Sequence, residues 1–191
     1  MGKILRLDPF FEDCLNSVHA RYVRRQLKAA GKRLGIQKDF KCHNPQYISI
    51  GDDFKADERI KIDAWDAYGT QRFRPCIRIG SNVSMNSDCY ISAIDRITVG
   101  DGVMMGRNVF ITDHAHGKTE LYDCAPAQRE LYSKGEVRIG DHVFIGSNVC
   151  ILSGVTIGDN CIIGANAVVT NSLPDNVVAG GIPARVIKHL N

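Results

Sequence analysis

From Ile79 onward the apolar residues of this chain return every six positions. Residues 79–96 read IGSNVS, MNSDCY and ISAIDR, and residues 99–116 read VGDGVM, MGRNVF and ITDHAH. Residues 139–174 continue with IGDHVF, IGSNVC, ILSGVT, IGDNCI, IGANAV and VTNSLP. The first position of each block is Ile, Val or Met, and Gly follows it in seven of the twelve blocks, so the glycines belong to the repeat. Position five is small or β-branched in most blocks, as at Val83, Cys89, Val103, Val109, Val143, Val149, Val155, Cys161 and Ala167. Position five and the next position one are two residues apart, so on an extended strand both side chains face the same way. Gly, Asn, Asp and Ser between them tolerate the conformations of a corner. Three such segments close one coil of about eighteen residues, and coils stack at the ~4.8 Å strand spacing. Half-buried strands joined by hairpins would show a period of two and paired turn residues instead. The pattern therefore predicts a mainly β chain, a parallel β-helix of hexapeptide repeats.

A weaker pass (IGDDFK, ADERIK, IDAWDA) begins at Ile50, and three interruptions break the rhythm. One is AYGTQRFRPCIR before Ile79, and a second is a two-residue surplus near Ile94 to Ile97. The third and longest runs from Asp113 to about Arg138. Long insertions in a solenoid map to loops on its side and are usually functional. Ahead of the repeat, Asp8-Pro9 has the order of a helix cap and first residue, and Phe11, Leu15, Val18 and Tyr22 follow at helical spacing. An amphipathic helix to about Ala30 is expected, its other face carrying Arg21, Arg24, Arg25, Lys28, Lys32 and Arg33. Contact with solvent, or with an anionic lipid or glycan carrier, would each suit that face. Pro174 and Pro183 argue against a continuous helix or central strand in the tail, which is expected to wrap back along the coils and end in a short turn around Arg185 to Leu190. The expected organisation is a helical segment over 1–45, a β-helix over 46–173 with its loop at about 113–138, and a tail over 174–191.

Composition narrows the class. A formal charge of +3 on 191 residues gives no case for nucleic acid. No stretch approaches the ~20 apolar residues of a membrane span, and the charged start lacks a signal-peptide pattern, so the cytoplasm is expected. Seven scattered cysteines with no C-x-x-C pair indicate neither a disulfide framework nor a zinc knuckle.

Candidate chemistry concentrates at the start of the long loop, where His114 and His116 follow Ile111. Imidazole titrates near neutrality and is suited to accept a proton. The H-x-H pair, with His142 as a third ligand, could instead hold zinc, although no acidic or Cys partner recurs at suitable spacing. His19, His43 and His189 lie outside the repeat.

The repeats, the string VFITDHAHG and the segment from IGDHVF to IPARVIK resemble the bacterial hexapeptide-repeat acetyltransferases over about Ile79 to Lys188. Within them the chain is most similar to sugar O-acetyltransferases of O-antigen, capsule and exopolysaccharide synthesis, and more distantly to galactoside and maltose acetyltransferases. The resemblance implies a left-handed β-helix, a homotrimer with an active site in each cleft between neighbouring prisms, acetyl-CoA as co-substrate lying along the coils, a sugar acceptor and no metal. By the same resemblance His114 is the general base, Asn86 lies near the acceptor hydroxyl, and the backbone N–H of Ser147 faces the thioester carbonyl. Ala165 and Thr170 fall along the pantetheine arm, with Arg185 and Lys188 toward the adenosine phosphates. Related chains often carry Lys where Asn171 stands, and the insertion at Tyr68 to Arg74 is longer than usual. Either Asp95 or Asp113 could orient the imidazole. An amine acceptor on an antibiotic or nucleotide sugar, a zinc enzyme like the β-helical carbonic anhydrases, and a non-catalytic scaffold are the competing readings.

Overall fold

A computed structural model of the chain describes residues 9–37 and 39–191. Asp8, the expected helix cap, lies outside them. Three parallel sheets wind into a left-handed triangular column. Its first face stacks Ala29–Ala30, Ile48–Ile50, Cys76–Ile79, Arg96–Val99, Val137–Ile139 and Thr156–Ile157. The second face stacks Gly35–Ile36, Lys55–Ala56, Ser84–Met85, Met104–Met105, Phe144–Ile145, Ile162–Ile163 and Val177–Gly181. Lys41–His43, Lys61–Ala64, Tyr90–Ala93, Phe110–Thr112, Cys150–Ile151 and Val168–Val169 make the third.

Position one of each block points inward. Ile79, Val99 and Ile139 on the first face, Met85, Met105 and Ile145 on the second, and Ile91, Ile111 and Ile151 on the third are all at most 3% exposed. Burying each such side chain is worth ~1.5–3 kcal/mol, and each is shared with the coils above and below. At the corners Asn82, Asn108, Asn148 and Asn166 take φ between 55° and 62°, the left-handed region that Asn tolerates better than most residues. A second device ties the coils together along the first-to-second edge. Asp101 Oδ1 accepts the Ser81 N–H (2.6 Å), Asp141 that of Asp101 (2.8 Å), Asp159 that of Asp141 (2.8 Å) and Asp175 that of Asp159 (2.9 Å). Each carboxylate satisfies a corner amide that the strand ladder leaves over.

Stacking is in register. Ala29, Ser49, Arg78, Thr98, Arg138 and Thr156 share one column, so successive coils consume 20, 29, 20, 40 and 18 residues. The steps between faces inside a coil do not vary: Arg78, Ser84 and Tyr90 match Thr98, Met104 and Phe110, then Arg138, Phe144 and Cys150. All surplus residues therefore leave the column at one place, the third-to-first edge.

Three expectations need correction. The first coil starts at Ala29, inside the segment assigned to a helix, and the helix ends at Gln26. Lys28 N–H donates to Ile48 O (2.9 Å), which continues the ladder instead of the helix. The helix also buries a different face. Val23 and Leu27 join the core and Ala20 packs against it, while Asn16 donates to Gln37 (2.8 Å). Of the expected inner face, Leu15, Val18 and Tyr22 are exposed, and the Phe11 side chain lies outside the described ones. Finally, the tail is not a turn. Val177–Gly181 pairs in parallel with Ile162–Ile163 and antiparallel with Ala184–His189, so a central strand sits between the two prolines. Pro174 and Pro183 fall just outside that strand, where no ladder N–H is needed.

All seven cysteines are free thiols. Burial pushes the Cys89 thiol up to about 11. No helix among the described residues is long and apolar enough to cross a membrane.

Two glycines, Gly100 at a corner and Gly35 in a strand, give a direct test of the stacking. A Cβ on Gly100 would lie 2.7 Å from the Gly140 carbonyl, whereas one on Gly35 would meet nothing closer than 3.7 Å. Gly100→Ala is expected to lose ~1–3 kcal/mol of stability in urea unfolding, and Gly35→Ala to stay within ~0.5 kcal/mol of the parent.

Candidate active site

The third-to-first edge carries every insertion, and they contact one another. Residues 67–72 form a hairpin, Ala67–Tyr68 against Gln71–Arg72. The long loop forms another, with Ala115 opposite Tyr132 and His116 opposite Leu131. Gln71 locks the two together, its amide accepting the Leu131 N–H (2.7 Å) and donating to Leu131 O (3.1 Å). Tyr68 donates to Ala127 O (2.6 Å), and its ring meets that of His116 edge-on at 5.4 Å.

His114 lies at the root of this cluster with its side chain 13% exposed. Its Nδ1 is 3.0 Å from Asp113 Oδ1 and 3.3 Å from Thr112 Oγ1. Asp113 is fully buried and its carboxylate is held from the other side. Oδ1 accepts the Ile94 N–H (2.9 Å) and Oδ2 the Asp95 N–H (2.8 Å). These two amides belong to the two-residue surplus one coil earlier. Ser153, one coil later, donates to Asp113 O (2.6 Å). An ionised carboxylate only accepts, so Nδ1 carries the proton in the neutral ring and Nε2 keeps its lone pair. Of the two residues weighed for orienting the imidazole, Asp113 has the contact and Asp95 contributes only its backbone. The sequence pattern does not single out Thr112, Ser153 or Gln71. A register count would have found the first two, which occupy the same edge as His114.

The other sequence candidates divide between two edges. Asn86, Ser147 and Ala165 follow second-face strands and sit on the second-to-third edge. Ser147 O accepts the Asn166 N–H (2.9 Å), and its Oγ accepts that of Arg107 (3.2 Å). Beside Asn86 the Asp88 carboxyl is held below the usual range by its hydrogen bonds from Arg59 (2.6 and 2.9 Å). Asn86 also lines a cavity of about 560 Å³ with Asp13, Asn16, Ser17, Gln37 and Lys55, between the helix and the second face. Thr170 follows a third-face strand, on the edge of His114. Its neighbour Asn171 shares a groove of about 290 Å³ with Arg185. Lys188 pairs with Val178 on the terminal hairpin and is exposed. One column thus brings His114, Thr170 and Arg185 to one side and Asn86, Ser147 and Ala165 to another.

The zinc alternative meets an obstacle of placement. His142 is a corner residue of the first-to-second edge (φ 55°), away from His114 and His116. Among the described residues no group of three or more His, Cys, Asp or Glu side chains is arranged to hold a metal ion.

A hexapeptide column with a histidine-bearing loop on one edge is the architecture expected of an acyltransferase solenoid. Comparison with known proteins agrees. The family model for the bacterial transferase hexapeptide (six repeats) matches residues 136–171. WbbJ of Escherichia coli strain K12, named for lipopolysaccharide biosynthesis O-acetyl transfer, is 35% identical over 160 residues, which are 80% of this chain and 78% of that protein. The galactoside O-acetyltransferase of the same strain is 41% identical over 120 residues, 60% of this chain and 55% of that one. AntD, an N-acyltransferase from Bacillus cereus solved as its S84A mutant with dTDP-4-amino-4,6-dideoxyglucose and coenzyme A, superposes with a TM-score of 0.75. It covers 90% of this chain and 88% of its own at 21% identity, a likeness of fold. The chain belongs to the hexapeptide-repeat acetyltransferase family, and it is an enzyme of that class.

The clamp on His114 is testable without a substrate. Asp113→Ala removes both acceptor oxygens, so the Ile94 N–H, the Asp95 N–H and the His114 ring each lose their partner. In ¹⁵N spectra His114 should hold its proton on Nδ1 in the parent and become a mixture of tautomers in the variant. An unchanged tautomer would remove Asp113 from the role of positioning residue.

Proposed function

We propose that the protein transfers the acetyl group of acetyl-CoA to a hydroxyl of a sugar or polysaccharide precursor, with His114 as general base. The observation that carries this reading is the His114 clamp. Nδ1–H is held by a carboxylate that two backbone amides anchor, which leaves Nε2 as the basic atom in a half-buried position. The names of the relatives, lipopolysaccharide and galactoside O-acetylation among them, support the acceptor class. The coenzyme A in the AntD complex supports the donor.

The acceptor oxygen attacks the thioester carbonyl carbon as its proton passes to His114 Nε2. Negative charge then grows on the carbonyl oxygen, where the fixed backbone N–H near Ser147 meets it without reorganisation. Collapse of that intermediate breaks the C–S bond, and the protonated imidazole returns the proton to the departing thiolate. Asn86 holds the acceptor hydroxyl, and the cavity it shares with Asp13, Asn16 and Ser17 offers donors and acceptors for other hydroxyls. Ala165 and Thr170 line the pantetheine path. The planar guanidinium of Arg185 and the ammonium of Lys188 face the adenosine phosphates.

His114 and Ser147 occupy different edges of one column, so the site is completed by a second copy. A homotrimer whose third faces turn toward the threefold axis sets the His114 edge of one subunit against the Asn86–Ser147 edge of the next. Lys41 and Lys61 open the outward row of that face, and from Tyr90 onward its residues suit an interior. Tyr90 and Phe110 stack at 5.5 Å, and Cys150 and Val168 continue their row.

Loss of His114 is the first test. His114→Ala should release thiol from acetyl-CoA with sugar acceptors at least ~10²-fold more slowly. Activity within about threefold of the parent would remove the base assignment. The shared site is tested by mixing subunits. His114→Ala and Asn86→Trp, which fills the acceptor cavity, should each be inactive alone. Co-assembled in equal amounts they should regain about a quarter of the parent sites, because each site draws one edge from each of two subunits. No recovery from trimers that are demonstrably mixed would refute it.

A further inference from the structure

The amino-terminal helix has a second amphipathic face, pointing away from the column, that the acetylation chemistry does not use. Its inner face is built from Asn16, Ala20, Val23 and Leu27, which settle on the first coil beside Ile36 and Phe40. On the opposite side Leu15 is 37% exposed, Val18 59% and Tyr22 64%. Val18 and Tyr22 are one turn apart, and Arg21 and Arg25, also one turn apart, run beside them. An apolar row this open, flanked by guanidinium groups, differs from the polar outer face of an ordinary surface helix.

Charge sharpens the contrast. Residues 21–33 hold six Lys and Arg and no Asp or Glu, whereas the rest of the chain holds 18 Lys and Arg against 21 Asp and Glu. The whole positive excess of the molecule is therefore gathered at its helical end. Arg33 is paired with Asp53. Arg21, Arg24, Arg25, Lys28 and Lys32 make no ion pair among the described residues. Elsewhere exposed arginines do find partners, as in Arg59 with Asp88 and Arg138 with Glu136. A helix dipole accounts for Arg24 and Arg25 in the last turn. It does not account for Arg21, the two lysines or the apolar row.

We propose that this outer face docks the protein on an anionic lipid surface. Leu15, Val18 and Tyr22 would enter the interfacial layer, while Arg21, Arg25 and the cations beyond them meet lipid phosphates. The choice of a bilayer over a protein partner follows from charge complementarity, combined with an apolar row only one residue wide. Resting on the sugar-acetylating reading above, docking would hold the acceptor cavity, which the inner side of the same helix lines through Asp13, Asn16 and Ser17, close to sugars carried on lipid. In the trimer three such helices would sit at one end of the particle, so weak individual contacts would act together.

Sedimentation of the full chain with vesicles tests the proposal without any acetyl transfer, so its failure and the failure of the catalytic reading are separable. Binding is expected to vesicles of phosphatidylcholine with about 30% phosphatidylglycerol, not to phosphatidylcholine alone, and to weaken in 0.5 M salt. Arg21→Glu with Arg25→Glu should cut the bound fraction at least ten-fold, and the milder Arg21→Gln with Arg25→Gln several-fold, at unchanged thermal midpoints. A parent protein that stays in the supernatant with anionic vesicles would overturn the proposal. So would a fall in particle mass, by light scattering, for Val18→Asp with Tyr22→Asp, since that would make the face a contact between subunits.

Discussion

The structure depends on one constraint, the vertical registration of inward aliphatic side chains from coil to coil. Ile91 stacks on Ile111 and Ile111 on Ile151 because each needs the neighbouring layer to leave water. A coil can lengthen only where no inward residue is displaced. The strand pairings show that this occurs at a single edge, since steps of six are kept elsewhere while coil length ranges from 18 to 40 residues. A side chain shifted by one position along a strand would turn outward, so the penalty for surplus at a face is the loss of a whole buried column. Insertions that are far apart in sequence are thereby delivered to one line in space.

The candidate site is a product of that delivery. Ile94 and Asp95 are only two extra residues, too few to suggest a function by themselves. Because they leave at the same edge as the long loop, their amides point at the Asp113 carboxylate one coil later, and Asp113 in turn holds the His114 ring. Ser153, one coil further on, closes the group by binding Asp113 O. Contributions from three successive coils fix one imidazole. The same geometry keeps Ser147 and Asn86 on a different edge, and a reading of the site as shared between subunits follows from that separation. Catalysis in this reading needs the rigidity of the column, for an oxyanion donor is effective only if it does not move to meet the charge.

Much of the column was legible in advance, and the exceptions have physical causes. Blocks from Ile79 onward announce themselves because Ile-Gly opens most of them. The first coil hides because Ala30-Gly31 stands where Ile-Gly is expected, leaving Leu34, Ile36, Phe40 and Tyr47 as its large apolar residues. The helix carried two faces of similar periodicity, and local spacing cannot rank them. The surface beneath decides, and Gln37 and the Phe40 carbonyl offer partners to Asn16 and His19 but none to Val18. In the tail the prolines suggested an irregular path. They flank a strand that the second sheet requires as its last parallel layer.

What the sequence determined by itself was therefore the repeating unit, and with it the triangular stack, because a period of six with alternating large and small inward residues has few other ways to bury itself. It also marked His114, through its position in the one long break. Tertiary structure alone decided which carboxylate holds the imidazole, which helix face turns inward and which candidate residues share an edge. Those outcomes depend on register between coils separated by 18 to 40 residues, a distance over which local pattern carries no information.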